Sequence, residues 1–498
     1  MPFTYLKRQA AALMGGDPYQ YKRLPNRTQL QWRMKDWVDH YIRAIRLGMV
    51  LLLSCTMIMF AVSIVRSTSG QPCTGNSRDR HCRKEISQSW GQYSSSFSVP
   101  SKISPAIPKD CKVTFAQVLS RHGARDPTEH KSSAYASVID KIHDNVTSYG
   151  QGFKFLKHFK YTLGADQLTT LGKNQMIHSG TKFYERYQSL ASVNLPFVRA
   201  SGQERVEESA SKWALGFHKA RLEDNIPDAY PYNIQVIPEE SGFNNTLSPD
   251  ICPAFEDGKH DNSDEQDTWI NHFVPALTTR LNENLPGANL SDEETIYMMD
   301  LCPFSTVANE KGKLSEFCYM FSVNEWHEYD YYQSLGKWYD YGNGSPLGPT
   351  QGVGFVNELL ARLTGKPVVD HTTHNSTLEF PLDRVLYADF SHDNDMMGVF
   401  AALGLYNLTD PLPGDRMVNT HKTKGFSASW VVPFAARLYV EKMSCGGNEE
   451  EFVRILVNDR VIPLQNCDAD EFGRCTLTKF VESQGFARGG GHWDQCFV

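Results

Sequence analysis

Three times along this chain a short apolar run leads into a polar loop and then into a helix-patterned stretch, and that recurring grammar constrains the fold more than any other feature. The runs are KVTFAQVLS (112–120) before RHGARDPT, LPFVRA (195–200) before SGQERVEE, and RVLYADFS (384–391) before HDND and the apolar MMGVFAALGL. Strand, loop and helix in that order predict an α/β fold, in which ligands gather beyond the carboxyl ends of the strands. All three polar loops fall at that position. The helices after them aim their positive N-terminal ends at the same crevice, a setting that suits an anion. A further helix is predicted over Gln351–Gly365, where Val353, Val356, Leu359, Leu360 and Leu363 recur at helical spacing. The intervening stretches, 129–190 and 206–344, read as a mostly helical insert capping the crevice.

The first loop carries the chemistry. His122 stands between two fixed cations, Arg121 and Arg125, beside Gly123, which allows close backbone approach. At a few per cent usage per residue type, Arg-His-Gly-x-Arg arises by chance in a chain of this length roughly two times in a thousand, so the motif is specific. Guanidinium forks match phosphate oxygens, and Arg205 in the second loop adds a third. His122 is the candidate nucleophile, forming a phosphohistidine that water then hydrolyses. The neighbouring cations are expected to keep its imidazole neutral in mildly acidic medium. In the third loop Asp393 is the candidate proton donor to the leaving group and His392 a further donor to phosphate. Since Asp393 must be protonated, activity is expected to fall as pH rises.

The formal charge of -7 excludes a general attraction to nucleic acid or anionic lipid, so phosphate affinity must be local. Residues 1–46 hold nine Lys or Arg and form a tail, and Leu47–Val65 runs 19 residues without a charge. That segment is read as an uncleaved transmembrane signal-anchor, with cleavage after Ser63 as the alternative. Five basic residues lie on each side of it, in 27–46 and in 66–84, so charge alone does not orient it. Cysteines and glycosylation sequons do better. Cys55 lies inside the segment, the other ten cysteines follow it, and six sequons follow it at Asn145, Asn244, Asn289, Asn343, Asn375 and Asn407. Together they place everything after residue 65 in an oxidising compartment, lumenal or extracellular, as in a single-pass type II membrane protein. Residues 66–85 read as a stalk, 86–128 and 345–498 with the strand-loop 195–205 as the α/β domain, and 129–344 as the cap insert. The acidic run 256–267 lacks the spacing of a calcium loop and reads as solvated charge.

The runs CKVTFAQVLSRHGARDPT, RASGQERV, YADFSHDND, SPLGPTQGVGFVNELLARLT and FARGGGHWDQCFV resemble the histidine acid phosphatases, in particular their fungal phytase branch, over about 73–498. The resemblance implies a doubly wound, phosphoglycerate-mutase-like α/β domain with a smaller all-α cap. It also implies a phosphohistidine mechanism without metal or cofactor, and release of orthophosphate from phytate at acidic pH. It assigns phosphate binding to Arg121, Arg125, Arg205 and His392, nucleophilic attack to His122 and proton donation to Asp393. Ten cysteines allow roughly 945 pairings. The resemblance selects Cys73–Cys82, Cys111–Cys445, Cys252–Cys496, Cys302–Cys318 and Cys467–Cys475.

Lys131 and Lys337 match pocket lysines of such enzymes, whereas Ala134 and Gly336 stand where further lysines are often found. Asp126 replaces a common aromatic residue, and its charge is expected to repel phosphate or to pair with Arg125. The expected partners are a phosphorylated small molecule and a membrane, with no nucleic acid. The competing readings are a broad-specificity acid phosphatase and an inactive anchored glycoprotein. Oligomeric state is not specified by the sequence.

Overall fold

An eleven-residue strand, β1 (Cys111–Arg121), buries nearly every side chain from Phe115 onward, and the sheet is built around it. In the computed structural model the described residues are 80–498, apart from 258–263 and 448–449. The tail 1–46, the segment 47–65, the stalk up to residue 79, and Cys73 of the Cys73–Cys82 pair lie outside them. Among the described residues no helix is long and apolar enough to cross a membrane. The end of the expected stalk is helical, over Arg80–Ser87.

The remaining strands are β2 (Phe197–Ser201), β3 (Ile234–Ile237), β4 (Leu386–Ser391), β5 (Arg437–Cys445), β6 (Phe452–Val457), β7 (Arg460–Val461) and β8 (Arg474–Thr476), in the order β3-β2-β4-β1-β5-β6-β7 with β8 beside β6. The four strands β3, β2, β4 and β1 are parallel, and β5 to β8 add an antiparallel flank. The sheet is therefore mixed. Strand β4 is buried along its whole length, as a parallel strand covered on both faces must be. Its register pairs Arg121 with Ser391 and Ala200 with Phe390, so β1, β2 and β4 end at one edge. The three polar loops leave that edge together, as the sequence grammar predicts.

On one face of the sheet, helices Thr170–Arg186 and Glu204–Glu223 bury Met176, Phe183, Trp213 and Phe217 against Val118, Val198 and Phe390. These two helices belong to the sheet layer, so the cap drawn over 129–344 is too wide in this stretch. Their apolar stripes show that they are buried but not against which partner. The other face is covered by helix Val353–Thr364, which ends at Gly365 in the left-handed conformation (φ 66). Helices Glu129–Asn145, Asp264–Asn284, Asp292–Ala308 and Val323–Gly336 pack on one another and share one hydrophobic core with that face.

Beneath the edge lies a buried ionic network. Arg199 of β2 pairs with Asp389 of β4 and with Glu358 at 2.8 Å each, Arg362 pairs with Asp389, and Gln117 of β1 donates to Asp389 at 3.0 Å. Disulfides join Cys111–Cys445, Cys252–Cys496, Cys302–Cys318 and Cys467–Cys475, four of the five expected pairs. None of the six sequon asparagines is buried.

Candidate active site

His122 is the first residue beyond β1, buried to 1% exposure. Its backbone is clamped on both sides: its N–H donates to Ser391 at 3.1 Å and its carbonyl accepts from Ala435 at 2.9 Å. Nδ1 lies 2.8 Å from the carbonyl of Gly123, an acceptor, so Nδ1 carries the proton and Nε2 keeps a lone pair. Burial first, then Arg121 and Arg125, hold its pKa well below the usual histidine value. The sequence argument credited the cations; burial is the larger cause.

Arg121 is fully buried. Its Nη1 donates to the carbonyls of Gln92 and Val432, its guanidinium lies 4.5 Å from the Phe434 ring centre, and its Nη2 meets Asp393 at 3.2 Å. Burial lowers its pKa to about 10, with Asp393 opposing the shift. Arg125 donates to the backbone carbonyl of Asp126 at 2.8 Å. Arg205, in the first turn of helix Glu204–Glu223, reaches Asp166 at 3.4 Å. Burial, then Arg125, lowers its pKa. In each of Arg121, Arg125 and Arg205 the Nε–H is buried without a hydrogen-bond partner. Three desolvated donors of one sign at one crevice suit an anion with several oxygens.

His392 caps the helix Asp393–Ala402, and its ring lies 5.7 Å from that of His122. Its Nε2 meets Glu239 at 3.0 Å. Asp393 is held between two cations: Arg121 on Oδ1, and Lys337 on Oδ2 at 2.6 Å. Burial alone would raise its pKa, but Arg121 and then Lys337 hold it well below the usual carboxylate range. With these partners Asp393 is an anion, so a role as acid requires a proton delivered together with substrate. Lys337 also donates to Asn394 and thus sits inside the cluster. Lys131 does not touch these side chains; its Nζ lies 4.6 Å from the centre of the Tyr297 ring.

The Asp126 carboxyl faces Gly164, whose backbone hydrogen-bonds to it, and burial raises its pKa. Arg125 hydrogen-bonds the backbone carbonyl of Asp126, and its charge also acts on the Asp126 carboxyl, opposing the effect of burial, without a close ion pair between the two side chains. Ala134 is half-buried against the core. At Gly336 a Cβ would meet the Gln266 Nε2 at 2.6 Å, so a longer side chain there would have to displace a glutamine.

Two acids escaped the sequence reading. Glu239 follows β3 after Pro238 and repeats the strand-to-polar-loop order, but four residues with one buried side chain leave little pattern to read. Asp395 lies one turn behind His392, and burial, then Glu239 and Asp393, lift its pKa well above the usual carboxylate value.

A neutral, immobilised imidazole among three arginines, at the carboxyl edge of parallel strands, defines a phosphate-handling site. The sequence profile of the histidine phosphatase superfamily (branch 2) matches residues 112–458, and the chain belongs to that family. It is a phosphatase of the histidine acid type. Phytase A of Aspergillus oryzae is 49% identical over 462 residues, covering 90% of this chain and 99% of the relative. Phytase A of Emericella nidulans is 52% identical over 428 residues, covering 84% and 92%. Among solved structures, the phytase from D. castellii superposes with a TM-score of 0.66 at 21% identity, covering 81% of this chain and 85% of that one. The Bifidobacterium longum multiple inositol polyphosphate phosphatase in complex with phosphate gives 0.55 at 15% identity, covering 80% and 98%. At those identities the structures speak for the fold alone.

Proposed function

We propose that this chain releases orthophosphate from phytate, myo-inositol hexakisphosphate, through a phosphohistidine on His122. The observation that carries the chemistry is the fixed Nδ1–H contact to Gly123, which leaves Nε2 as a lone pair among Arg121, Arg125 and Arg205. The substrate class is supported by the phytases at 49% and 52% identity and by Lys337 at the cluster.

In the first step Nε2 of His122 attacks phosphorus, the P–O bond to the inositol carbon's oxygen breaks, and Asp393 gives its proton to the departing alkoxide. The three arginines and His392 hold the equatorial oxygens, where charge is spread in the transition state. In the second step water attacks phosphorus, Asp393 takes the water proton, and the P–N bond breaks to return His122 and orthophosphate. The proton on Asp393 comes with the substrate: a phosphate that occupies Arg121 removes one of the two cations keeping the carboxyl ionised, and a monoanionic phosphate brings a proton of its own.

A radiolabelled pulse with rapid quench should trap alkali-stable, acid-labile phosphohistidine in wild type and none in His122→Ala. An active enzyme without the adduct would sink the mechanism. Asp393→Asn should slow phytate far more than p-nitrophenyl phosphate, whose leaving group needs no proton; equal losses would remove Asp393 as the acid. Comparing kcat/KM on phytate and on small phosphomonoesters separates a phytase from a broad acid phosphatase.

We further propose that 47–65 anchors the chain with residues 66–498 lumenal or extracellular. The four disulfides support an oxidising compartment. Protease protection of sealed vesicles tests the orientation, and release of the protein by carbonate would refute the anchor.

A further inference from the structure

We propose that Asp330 is a positioning residue that aims the Arg121 guanidinium by fixing the two backbone carbonyls that hold it; the inference rests on Arg121 binding phosphate in the function proposed above. Arg121 Nη1 donates to the carbonyls of Gln92 and Val432. That nitrogen has two N–H bonds, so main chain uses both. Nε and Nη2 have no hydrogen-bond partner, although Nη2 lies 3.2 Å from Asp393. Where the two carbonyls stand therefore decides which edge of the guanidinium stays open. The open edge, Nε with Nη2, offers the paired donors that an oxyanion takes bidentately.

The carbonyls belong to segments 29 residues before Arg121 and 311 residues after it, and both segments lean on helix Val323–Gly336. Asp330 Oδ1 accepts from the Gly91 N–H at 3.1 Å, at the head of the turn Gly91–Tyr93 that carries Gln92. Asp330 Oδ2 accepts from the Ser427 hydroxyl at 2.7 Å, at the start of the short helix Ala428–Val431 that leads to Val432. Neighbours on the same face each hold one segment. Gln333 accepts from Gln92 Nε2 at 2.7 Å; Ser334 accepts from the Ala428 N–H at 2.9 Å and donates to the Asp330 carbonyl at 2.7 Å. Residues 330, 333, 334 and 337 recur at helical spacing, so they share one stripe. The last of them, Lys337, pairs with Asp393. One helix face thus serves both members of the Arg121 and Asp393 pair, and Asp330 is the residue of that face whose side chain bonds to both carbonyl-bearing segments.

The test measures kcat/KM on p-nitrophenyl phosphate and inhibition by inorganic phosphate for wild type, Asp330→Asn, Arg121→Lys and the double variant. Asparagine keeps the shape but sets an N–H against one of the two donors. Phe434 N–H also donates to Ser94 at 2.8 Å, which joins the two segments directly. The displacement should therefore be less than the 1 Å that costs roughly 100-fold, and we expect Asp330→Asn to lose about tenfold in kcat/KM, with weaker inhibition by phosphate. In the Arg121→Lys background, which has no guanidinium to aim, the same substitution should cost less than about twofold. An equal loss in both backgrounds marks a general structural role and overturns the proposal, as does a folded Asp330→Asn with wild-type kcat/KM. If Asp330→Asn does not fold, Ser427→Ala removes one contact alone and should show a smaller loss that again needs Arg121; no loss, or an equal one without Arg121, overturns the proposal. Glu325→Ala removes the capping box of the same helix away from the stripe, and should lower the melting temperature while leaving kcat/KM unchanged. A loss of kcat/KM there as large as in Asp330→Asn overturns the proposal too. Wild type without phosphatase activity, or Arg121→Lys as active as wild type, overturns the functional reading instead.

Discussion

The glycine of the catalytic loop offers a direct test of how tightly the site is built. A Cβ placed on Gly123 would lie 2.4 Å from the carbonyl oxygen of Gly172, 2.8 Å from its carbonyl carbon and 3.0 Å from its Cα. Ordinary contact begins near 3.4 Å, so Gly123→Ala is short by about 1 Å against main chain that has no rotamer to yield. The loop cannot shift freely either. Thr169 N–H donates to the Ala124 carbonyl at 3.0 Å, and the Ala124 N–H donates to Gln175 at 2.9 Å. The displacement must therefore pass to His122 or to the start of helix Thr170–Arg186, just ahead of which Leu168 bridges Arg125. A misplacement of about 1 Å costs roughly 100-fold in rate, and overpacking costs about 1–3 kcal/mol of stability. We expect folded Gly123→Ala to lose about two orders of magnitude in kcat on p-nitrophenyl phosphate. Gly485→Ala, where an added Cβ meets nothing within 4 Å, should be silent. If Gly123→Ala folds and keeps kcat within about threefold of wild type, the close-approach argument is wrong.

Lys337→Met removes one of the two cations that depress Asp393, so the acid form should persist to higher pH. The alkaline limb of kcat for poor leaving groups then moves upward while KM for phytate rises, and a limb moving downward would contradict the assignment. Binding of the phosphate dianion, which brings no proton, should take one up from solvent in wild type, measured by calorimetry in buffers of different ionisation enthalpy above about pH 7; Asp393→Asn should lose that uptake, and equal uptake in both would place the proton elsewhere. Burial alone would raise the pKa of Glu358, yet Arg199 and His374 bring it from 4.5 down to about 2. A depressed carboxyl adds stability above its unfolded value and loses it as pH falls through the folded one. The melting temperature of wild type should drop between pH 4.5 and 2, and Glu358→Gln should flatten that part of the curve.

The sequence disclosed those parts of the fold in which local pattern and tertiary role coincide. The loops after β1, β2 and β4 could be read because a buried parallel strand, a polar turn and an amphipathic helix each leave a distinct pattern. Arg121, His122, Arg125, Arg205, His392 and Asp393 meet at one edge for that reason. Helix Thr170–Arg186 was misplaced because Met176 and Phe183 would fit a cap as well as a sheet. Strand β3 was missed because four residues with one buried side chain carry little signal, and Glu239 was lost with it. The state of Asp393 was not legible at all, since it depends on Lys337, 56 positions earlier in the chain.

That last dependence gives the proposed mechanism its fall in activity as pH rises. Arg121, Arg125, Arg205 and Lys337 face the two anions Asp393 and Glu239, while a third carboxyl, Asp395, is driven neutral by burial and by those same anions. Before substrate arrives, the excess of fixed positive charge favours any phosphate, and Asp393 serves as an internal counterion to Arg121 and Lys337. Once phosphate takes Arg121, three negative groups crowd the same cations and the cheapest relief is a proton on one carboxyl. Asp393 is the group whose stabilising partner has just been claimed. On the proposed mechanism the proton donor is thus created by binding, and an enzyme that must collect this proton from substrate or solvent at each turnover loses activity as protons become scarce.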